Sequence, residues 1–269
     1  MAGSPISGWP PEDRLNTLVH LSGTLFIYAA TACKYIGDGG SIVKRLEDVT
    51  DISPDSPNDD LYGRILSDAF RVANAREKDE IQKVLRAVIS VRTPLSINGL
   101  SKLLKIETEG VSEALSSLHS VVYIPEDMGL PISMFHAYFT DFITTQKRSR
   151  EQFLSPSKSH HMVGLHCLGL LQSSLKNICQ LEGLSVMNKD VSPSTVKYQI
   201  SELLMWQTQN LEREVWDALY SFFDEKLLQW FECLSHLTQL SDAISSLQKL
   251  EAWLPVQSWI MGFKCIRKT

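Results

Sequence analysis

The sequence contains no hydrophobic run long enough to cross a membrane. Its longest apolar stretch, residues 25–33, has fewer than half of the roughly twenty residues that a spanning helix requires, and it includes Thr31. The first residues show no basic segment followed by an apolar run and a cleavage site, which is the pattern of a secretory signal peptide. We therefore expect a cytoplasmic protein that has no membrane partner.

No two cysteines have the CxxC spacing that is typical of metal-binding or redox pairs. The five cysteines are scattered along the chain and are odd in number: Cys33, Cys167, Cys179, Cys233 and Cys265. The first four lie in apolar helical stretches, where a cysteine is usually reduced and buried. This distribution indicates a reducing compartment.

The chain has no strong excess of either charge. Its formal net charge is −5 and its isoelectric point is about 5.8, so no overall electrostatic attraction to nucleic acid or to an anionic membrane is expected. Hydrophobic residues make up 43% of the 269 residues, which is enough for a sizeable core in one or two domains.

A phosphate-binding loop is absent from the sequence. The glycine-rich stretch 37–41 lacks the lysine that such a loop places directly after its last glycine, and it follows a predicted helix rather than a strand. No predicted strand ends in a run of acidic residues that could hold magnesium. We interpret this stretch as a linker. We also expect that the chain is not an enzyme and holds no nucleotide by this route.

No motif predicts a metal centre or a catalytic group. One group of candidate ligands matches no tetrahedral zinc spacing: His160, His161, His166, Cys167 and Cys179. This group is explained better if His160 and His161 are polar residues at a helix start and His166 and Cys167 belong to a core face. No Ser/His/Asp or Cys/His arrangement is apparent, and the acidic run 47–60 is typical of a solvated loop. We therefore predict no catalytic residue, no metal ligand and no small-molecule substrate.

Helical periodicity accounts for most of what is present in the first 73 residues. Apolar residues recur at three- and four-residue intervals from Leu15 to Ile36 and predict one helix, in which Gly23 costs about 1 kcal/mol relative to alanine or permits close packing. A connector rich in proline and aspartate follows at 52–60. The next helix is predicted to be capped by Asp59 or Asp60, and its inner positions are Leu61, Ile65, Leu66, Ala69 and Phe70.

Residues 74–150 have the pattern of a winged helix. A helix stops before Pro94, Ser96 is a candidate N-cap of a second helix, and Thr108 is a candidate N-cap of a third. Two β-rich runs at 121–124 and 132–135 then predict a hairpin with a long turn. Three helices followed by a hairpin make a winged helix, which is a variant of the helix-turn-helix.

Only helices are predicted after residue 150. Ser155 and Pro156 predict the start of one helix, and amphipathic segments follow at 194–207, 212–237 and 239–254. The stretch 227–234 is heavily apolar and predicts a helix that is buried on most sides. Four tryptophans on these helices are expected in the core, although some could line a groove for a partner: Trp206, Trp216, Trp230 and Trp253.

The predicted fold class is therefore mainly α. We divide the chain into a helical segment (1–73), a winged-helix domain with one small β-hairpin (74–150), a helical domain (151–255) and a tail (256–269).

A winged helix raises the possibility of DNA binding, but the third helix offers Glu109 and Glu113 and no lysine or arginine, and the wing tip carries Glu126 and Asp127. Phosphate contacts dominate affinity for DNA, so we expect no nucleic-acid partner.

His136 is the one residue with a specific functional hypothesis. It follows the second predicted wing strand and begins an aromatic segment. An imidazole at this position can be held by its neighbours and still present one nitrogen outward. The alternative is a core histidine that is satisfied by the backbone. The sequence favours neither interpretation.

Several segments together resemble NACHT NTPase domains of fungal STAND proteins, which are relatives of the NOD-like receptors. The matching segments are 23–33, 61–66, 94–104, 115–121, 135–142, 153–181 and 225–232. One of them is similar to the His-Ala-Ser-Phe-x-Asp-Phe pattern that ends the winged helix of this family: Phe135-His136-Ala137-Tyr138-Phe139-Thr140-Asp141-Phe142. Tyr138 stands where the family usually has serine, and the half of the family module that carries the phosphate-binding loop is not present.

The resemblance implies a role in signal transduction and innate immunity. In the family the winged helix folds against the nucleotide site, and the histidine at the position of His136 is implied to touch the β-phosphate of ADP. We therefore expect a non-catalytic regulatory fragment of a NACHT-type signalling ATPase that acts through protein–protein contacts, for example with a related full-length NACHT protein. ADP or ATP would be a cofactor only if the chain were joined to a P-loop domain or docked on one. The alternative is a helical scaffold or adaptor without nucleotide-linked switching.

Overall fold

Helices form nearly all of the regular structure in the computed structural model, which describes residues 9–23, 26–37, 41–174, 213–236 and 244. The described helices are α1 (Glu12–Ser22), α2 (Phe26–Gly37), α3 (Ile42–Thr50), α4 (Pro57–Val72), α5 (Ala75–Ser90), α6 (Ile97–Leu104), α7 (Thr108–Ser116), α8 (Ala137–Ile143), α9 (Gln146–Ser149), α10 (Pro156–Ser174) and α11 (Arg213–His236). One antiparallel pair of strands, β1 (Val122–Tyr123) and β2 (Ser133–Met134), forms the sheet among these residues. The predicted mainly α fold with one small hairpin is confirmed.

The chain divides into two compact units. Among the described residues, unit 1 takes in those up to Ile89 together with Pro94–Ser101 and Lys105–Pro156. Unit 2 takes in Ser90–Thr93, Lys102–Leu104 and those from Ser157 onward. None of the described helices is both long and apolar enough to cross a membrane.

Gly23 divides the first predicted helix into two. Its φ of 49° is a left-handed backbone conformation that residues with a side chain rarely adopt, and its N–H donates to the carbonyls of His20 and Val19. α1 therefore ends at Ser22, and the prediction of one continuous helix from Leu15 to Ile36 is wrong. Several residues that were predicted to lie in the core are exposed on these two helices: Leu15, Val19, Phe26 and Cys33. Cys33 is thus not the buried cysteine that the sequence predicted.

α3 occupies part of the acidic stretch that was predicted as a solvated loop. Ser41 caps this helix by accepting a hydrogen bond from the N–H of Lys44 at 3.4 Å. Arg14 on α1 donates to Thr50 at 2.8 Å and to Asp51 at 2.7 Å, and the Tyr28 hydroxyl on α2 donates to the Val49 carbonyl at 2.5 Å. α3 is therefore fastened to both preceding helices, which the local sequence did not indicate.

α4 begins earlier than predicted, with Pro57 as its first residue. Asp59 and Asp60 lie in its first turn and are not N-caps, so the predicted capping by either aspartate is wrong. An acidic first turn is favourable at the positive end of the helix dipole. The predicted inner face is confirmed for the residues that the structure buries: Leu61, Ile65, Leu66 and Ala69.

The winged-helix order of α5, α6, α7, β1 and β2 is present as predicted. The Ser96 side chain accepts from the N–H of Gly99 at 3.1 Å, which confirms it as the N-cap of α6, whereas Thr108 is the first residue of α7 rather than its cap. Val122 pairs with Met134 in the hairpin, and the N–H of Ile132 donates to the Leu95 carbonyl at 2.8 Å. The second wing strand is thus held on one side by β1 and on the other by the start of α6.

α11 and all of α10 except its first residue belong to unit 2. Pro156 is the first residue of α10, as predicted, and the buried residues of this helix include Cys167. On α11 Trp230 is buried, but Leu228 is exposed, so the prediction of burial is wrong for Leu228. The predicted elements at 181–191, 194–207, 239–254 and 256–269 lie outside the described residues, apart from Ile244, as do Cys179, Cys265, Trp206 and Trp253.

Candidate functional site: the end of the wing

His136 lies between the wing hairpin and α8, and it serves as the N-cap of that helix. Its backbone is extended, and its Nδ1 accepts a hydrogen bond from the N–H of Tyr138 at 3.0 Å. A neutral imidazole has one acceptor nitrogen and one donor nitrogen, so an accepting Nδ1 places the ring proton on Nε2. The side chain is exposed, and no described group is bonded to Nε2. His136 is therefore not a core residue, and it retains one hydrogen-bond donor.

Phe135 connects the wing to α2 through a cation–π contact. The Nζ of Lys34 lies 3.7 Å from the centroid of the Phe135 ring, and the Tyr123 ring packs edge-on to the same ring at 6.0 Å. Such a contact at an exposed site contributes about 0.5–1 kcal/mol. The residue next to His136 is thus held by groups from two elements that are distant in sequence.

An aromatic cluster lies on the other side of His136, between α8 and α4. At its centre is Tyr62 of α4, whose side chain is 1% exposed. The Tyr62 ring is 5.2 Å from that of Phe139, 5.6 Å from that of Phe142 and 6.3 Å from that of Tyr138. Burial raises the pKa of the Tyr62 hydroxyl to about 12, while its hydrogen bond with Thr31 opposes that rise. The hydroxyl therefore stays protonated at neutral pH.

Arg148 fastens the end of the winged-helix segment to α4. Its Nε and Nη2 atoms donate to the two carboxylate oxygens of Asp59 at 2.9 and 2.6 Å, and its guanidinium lies 4.4 Å from the centroid of the Tyr138 ring. These hydrogen bonds raise the pKa of Arg148 above its usual value. Because the pair is bidentate and stacked, lysine cannot reproduce it. We call these three residues the Arg148 clamp.

A second attachment follows four residues later. The side-chain amide of Gln152 donates to the Gly63 carbonyl at 3.2 Å and to the Ser67 hydroxyl at 2.8 Å. Residues 137–152 are therefore held on α4 by the aromatic cluster, the Arg148 clamp and Gln152. The clamp could not be predicted from the sequence, because Asp59 and Arg148 are 89 residues apart and no local pattern pairs them.

The arrangement around His136 can hold and orient a group but offers no complete catalytic set. No carboxylate or nucleophile is bonded to His136, and the described residues contain no group of three or more His, Cys, Asp or Glu side chains placed to hold a metal ion. In unit 2, Nε2 of His161 lies 3.8 Å from a carboxylate oxygen of Glu214. One exposed imidazole donor on a fixed ring is suited to recognition of an acceptor such as a phosphate oxygen or a carbonyl.

Replacing His136 with alanine is expected to lower the free energy of unfolding by about 0.5–1 kcal/mol, because the first turn of α8 loses its cap. Asparagine at this position retains a side-chain acceptor, so the matched variant His136→Asn should unfold within a few tenths of a kcal/mol of the native chain. Urea denaturation of the full chain measures both values. Equal stabilities for the alanine and asparagine variants would contradict a capping role.

Comparisons with known proteins show no matching family model, no curated relative and no solved structure with a significant match. The NACHT resemblance therefore stays a prediction.

Proposed function

We propose that this chain is a non-catalytic regulatory module that works through protein–protein contacts, of the kind found beside the nucleotide site of NACHT-type signalling ATPases. The observation that carries the proposal is the attachment of the wing end to α4 through the Arg148 clamp, with Phe135 held against α2 by Lys34. Through these contacts a force applied to the wing would pass to two other helices. A regulatory module needs such a mechanical connection between its contact surface and its body.

In this proposal His136 contributes one donor to a nucleotide phosphate, and only when a P-loop domain is supplied. Its Nδ1 is occupied by the N–H of Tyr138, so the ring is oriented before any ligand arrives. A fixed donor costs less conformational entropy on binding than a mobile one. A contact made in only one of two states would shift the equilibrium toward that state.

The nucleotide dependence can be tested with the full chain and a P-loop domain from a NACHT protein. By isothermal titration, the chain alone is expected to bind neither ADP nor ATP, and it should not hydrolyse ATP. The mixture is expected to bind ADP more tightly than the P-loop domain does alone. Replacing His136 with alanine should remove most of that gain, whereas Ser96→Ala, which removes only the cap of α6, should leave it unchanged.

ATP turnover by the chain alone would overturn the proposal. If no complex forms with the P-loop domain, the second candidate function, a helical scaffold or adaptor, is favoured instead. One observation supports that candidate: large apolar side chains are exposed on α1, α2 and α3, where they could contact another protein. These residues are Leu15, Val19, Phe26, Ile42 and Val43.

A further inference from the structure

The outer face of the wing hairpin carries two large aromatic side chains beside Ser133, whereas a solvent-facing side of an antiparallel sheet is normally polar. Side chains alternate along the strands, so Val122 and Ile132 are buried while Tyr123 and Phe135 are 49% and 37% exposed. Tyr123 pairs with Ser133, which places Phe135 diagonally across the hairpin from Tyr123, and their rings are 6.0 Å apart. Two neighbouring aromatic rings therefore face solvent.

The wing tip exposes two further apolar side chains on an ordered turn. Met128 and Leu130 are 47% and 52% exposed. The side chain of Asp127 accepts from the N–H of Gly129 at 2.8 Å, and its carbonyl accepts from the N–H of Leu130 at 3.0 Å. The Met128 carbonyl is tied to α6 through the N–H of Asn98 at 3.4 Å. The turn is thus shaped by its own hydrogen bonds before any partner binds.

These four side chains are unusually concentrated. Twelve large hydrophobic residues of the described chain are exposed, and four of them fall within residues 123–135. Exposed apolar residues that are scattered singly need no explanation, whereas contiguous apolar patches mark interaction sites. Tyr123 and Phe135 are in ring contact, and Met128 and Leu130 lie on the turn that joins the two strands. We call Tyr123, Met128, Leu130 and Phe135 the wing surface.

The charge around the wing surface restricts the partner. Residues 106–146 contain six acidic side chains and no lysine or arginine. Glu126 and Asp127 are exposed at the tip, whereas Lys34 lies over Phe135 at the base. Nucleic acid and a second copy of this acidic segment would both be repelled, and a cationic partner would be attracted.

We propose that the wing surface docks an amphipathic helix of a partner protein whose polar side is rich in lysine and arginine. This inference rests on the proposed function and names its contact surface. The apolar side of the helix covers Tyr123 and Phe135, and its cations meet Glu126 and Asp127. Lys34 repels those cations at the base, so the more basic end of the helix lies toward the tip. The wing strands are only two residues long, which is too short to template an added strand.

The probe is a labelled 18-residue peptide of leucine and lysine at helical spacing, titrated with the full chain and followed by fluorescence anisotropy. Two comparison peptides separate the contributions: one has the same composition without amphipathic order, and the other has glutamate in place of lysine. The amphipathic lysine peptide is expected to bind about tenfold more tightly than the peptide of scrambled sequence. The glutamate peptide should not bind. Equal binding of both lysine peptides would overturn the proposal, because it would indicate charge attraction alone.

Variants of the chain then locate the site. Tyr123→Ser combined with Leu130→Ser should weaken peptide binding by about tenfold, as loss of central anchors does. Glu126→Lys should weaken it and make binding less sensitive to salt. The matched controls are Val72→Ser and Glu151→Lys, which change an exposed apolar and an exposed acidic residue elsewhere and should leave binding unchanged. Thermal unfolding confirms that each variant is folded.

Equal losses in the wing and control variants would also overturn this assignment. Neither nucleotide nor a NACHT domain is present in the titration, so its outcome is independent of the nucleotide test above. If the peptide binds at the wing but the chain forms no complex with the P-loop domain, the wing surface is supported as a docking site and the proposed NACHT role is rejected. The reverse pattern would keep that role and reject the surface.

Discussion

Replacing Tyr62 with alanine is expected to lower the free energy of unfolding by about 4 kcal/mol, the largest effect of any change considered for this chain. The Tyr62 side chain is buried, and it contacts three aromatic rings of α8: Tyr138, Phe139 and Phe142. Alanine leaves a cavity among these rings, and rings held by other contacts cannot collapse to fill it. Urea denaturation of the full chain, with hydrogen exchange of α4 and α8 to locate the loss, measures the effect.

The matched variant Tyr62→Phe separates packing from hydrogen bonding. Phenylalanine keeps the ring contacts and removes only the hydroxyl that bonds with Thr31, so the expected cost is about 1 kcal/mol. As a second control, Tyr123→Ala removes an exposed ring of the wing and should cost less than about 1 kcal/mol. If Tyr62→Ala costs no more than Tyr123→Ala, the cluster does not anchor α8 to α4.

The second large effect is expected for Arg148→Ala, at about 2–3 kcal/mol. Alanine removes two charge-assisted hydrogen bonds and the stacking on Tyr138, and it leaves Asp59, whose side chain is only 18% exposed, without its cation. Arg148→Lys keeps the charge but loses the bidentate geometry and the planar stack. It should therefore recover less than half of the loss.

Hydrogen exchange distinguishes a local fastening from a general loss of stability. After Arg148→Ala we expect faster exchange in residues 137–152, while α1 and α3 keep their protection. The control Arg71→Ala removes an exposed pair with Asp68 within one turn of α4 and should have an effect below about 1 kcal/mol. A uniform increase in exchange along the whole of unit 1 would contradict the assignment of the clamp to this segment.

The winged-helix segment could be predicted because each of its signals is local. Ser96 precedes an apolar helical pattern and caps α6 by bonding to Gly99, three residues away. The hairpin follows from two β-rich runs around a turn that contains proline and glycine. His136 could be placed at the end of the wing for the same reason, since it directly follows the second run.

The incorrect predictions have physical causes that cannot be seen in local sequence patterns. Apolar spacing continues on both sides of Gly23, so periodicity could not show that its backbone is left-handed and divides α1 from α2. Leu228 is as apolar as its neighbours, and only the packing of α11 decides that it is exposed. The bond between Asp59 and Arg148 joins residues that come together only after folding. Such contacts depend on tertiary structure, which composition and spacing do not encode.

Only Phe135 and His136 separate β2 from α8, so the placement of α8 relative to the wing depends on the torsion angles of very few bonds. The ring of Phe135 is held under Lys34, and the imidazole of His136 is bonded to the first turn of α8. The connection is therefore a short linker in which both residues are held in place by contacts. Because hydrogen bonds from Ile132 to Leu95 and from Asn98 to Met128 keep the hairpin on α6, we expect a single inserted residue here to shift α8 relative to the hairpin, which makes the length of this junction as important as its chemistry.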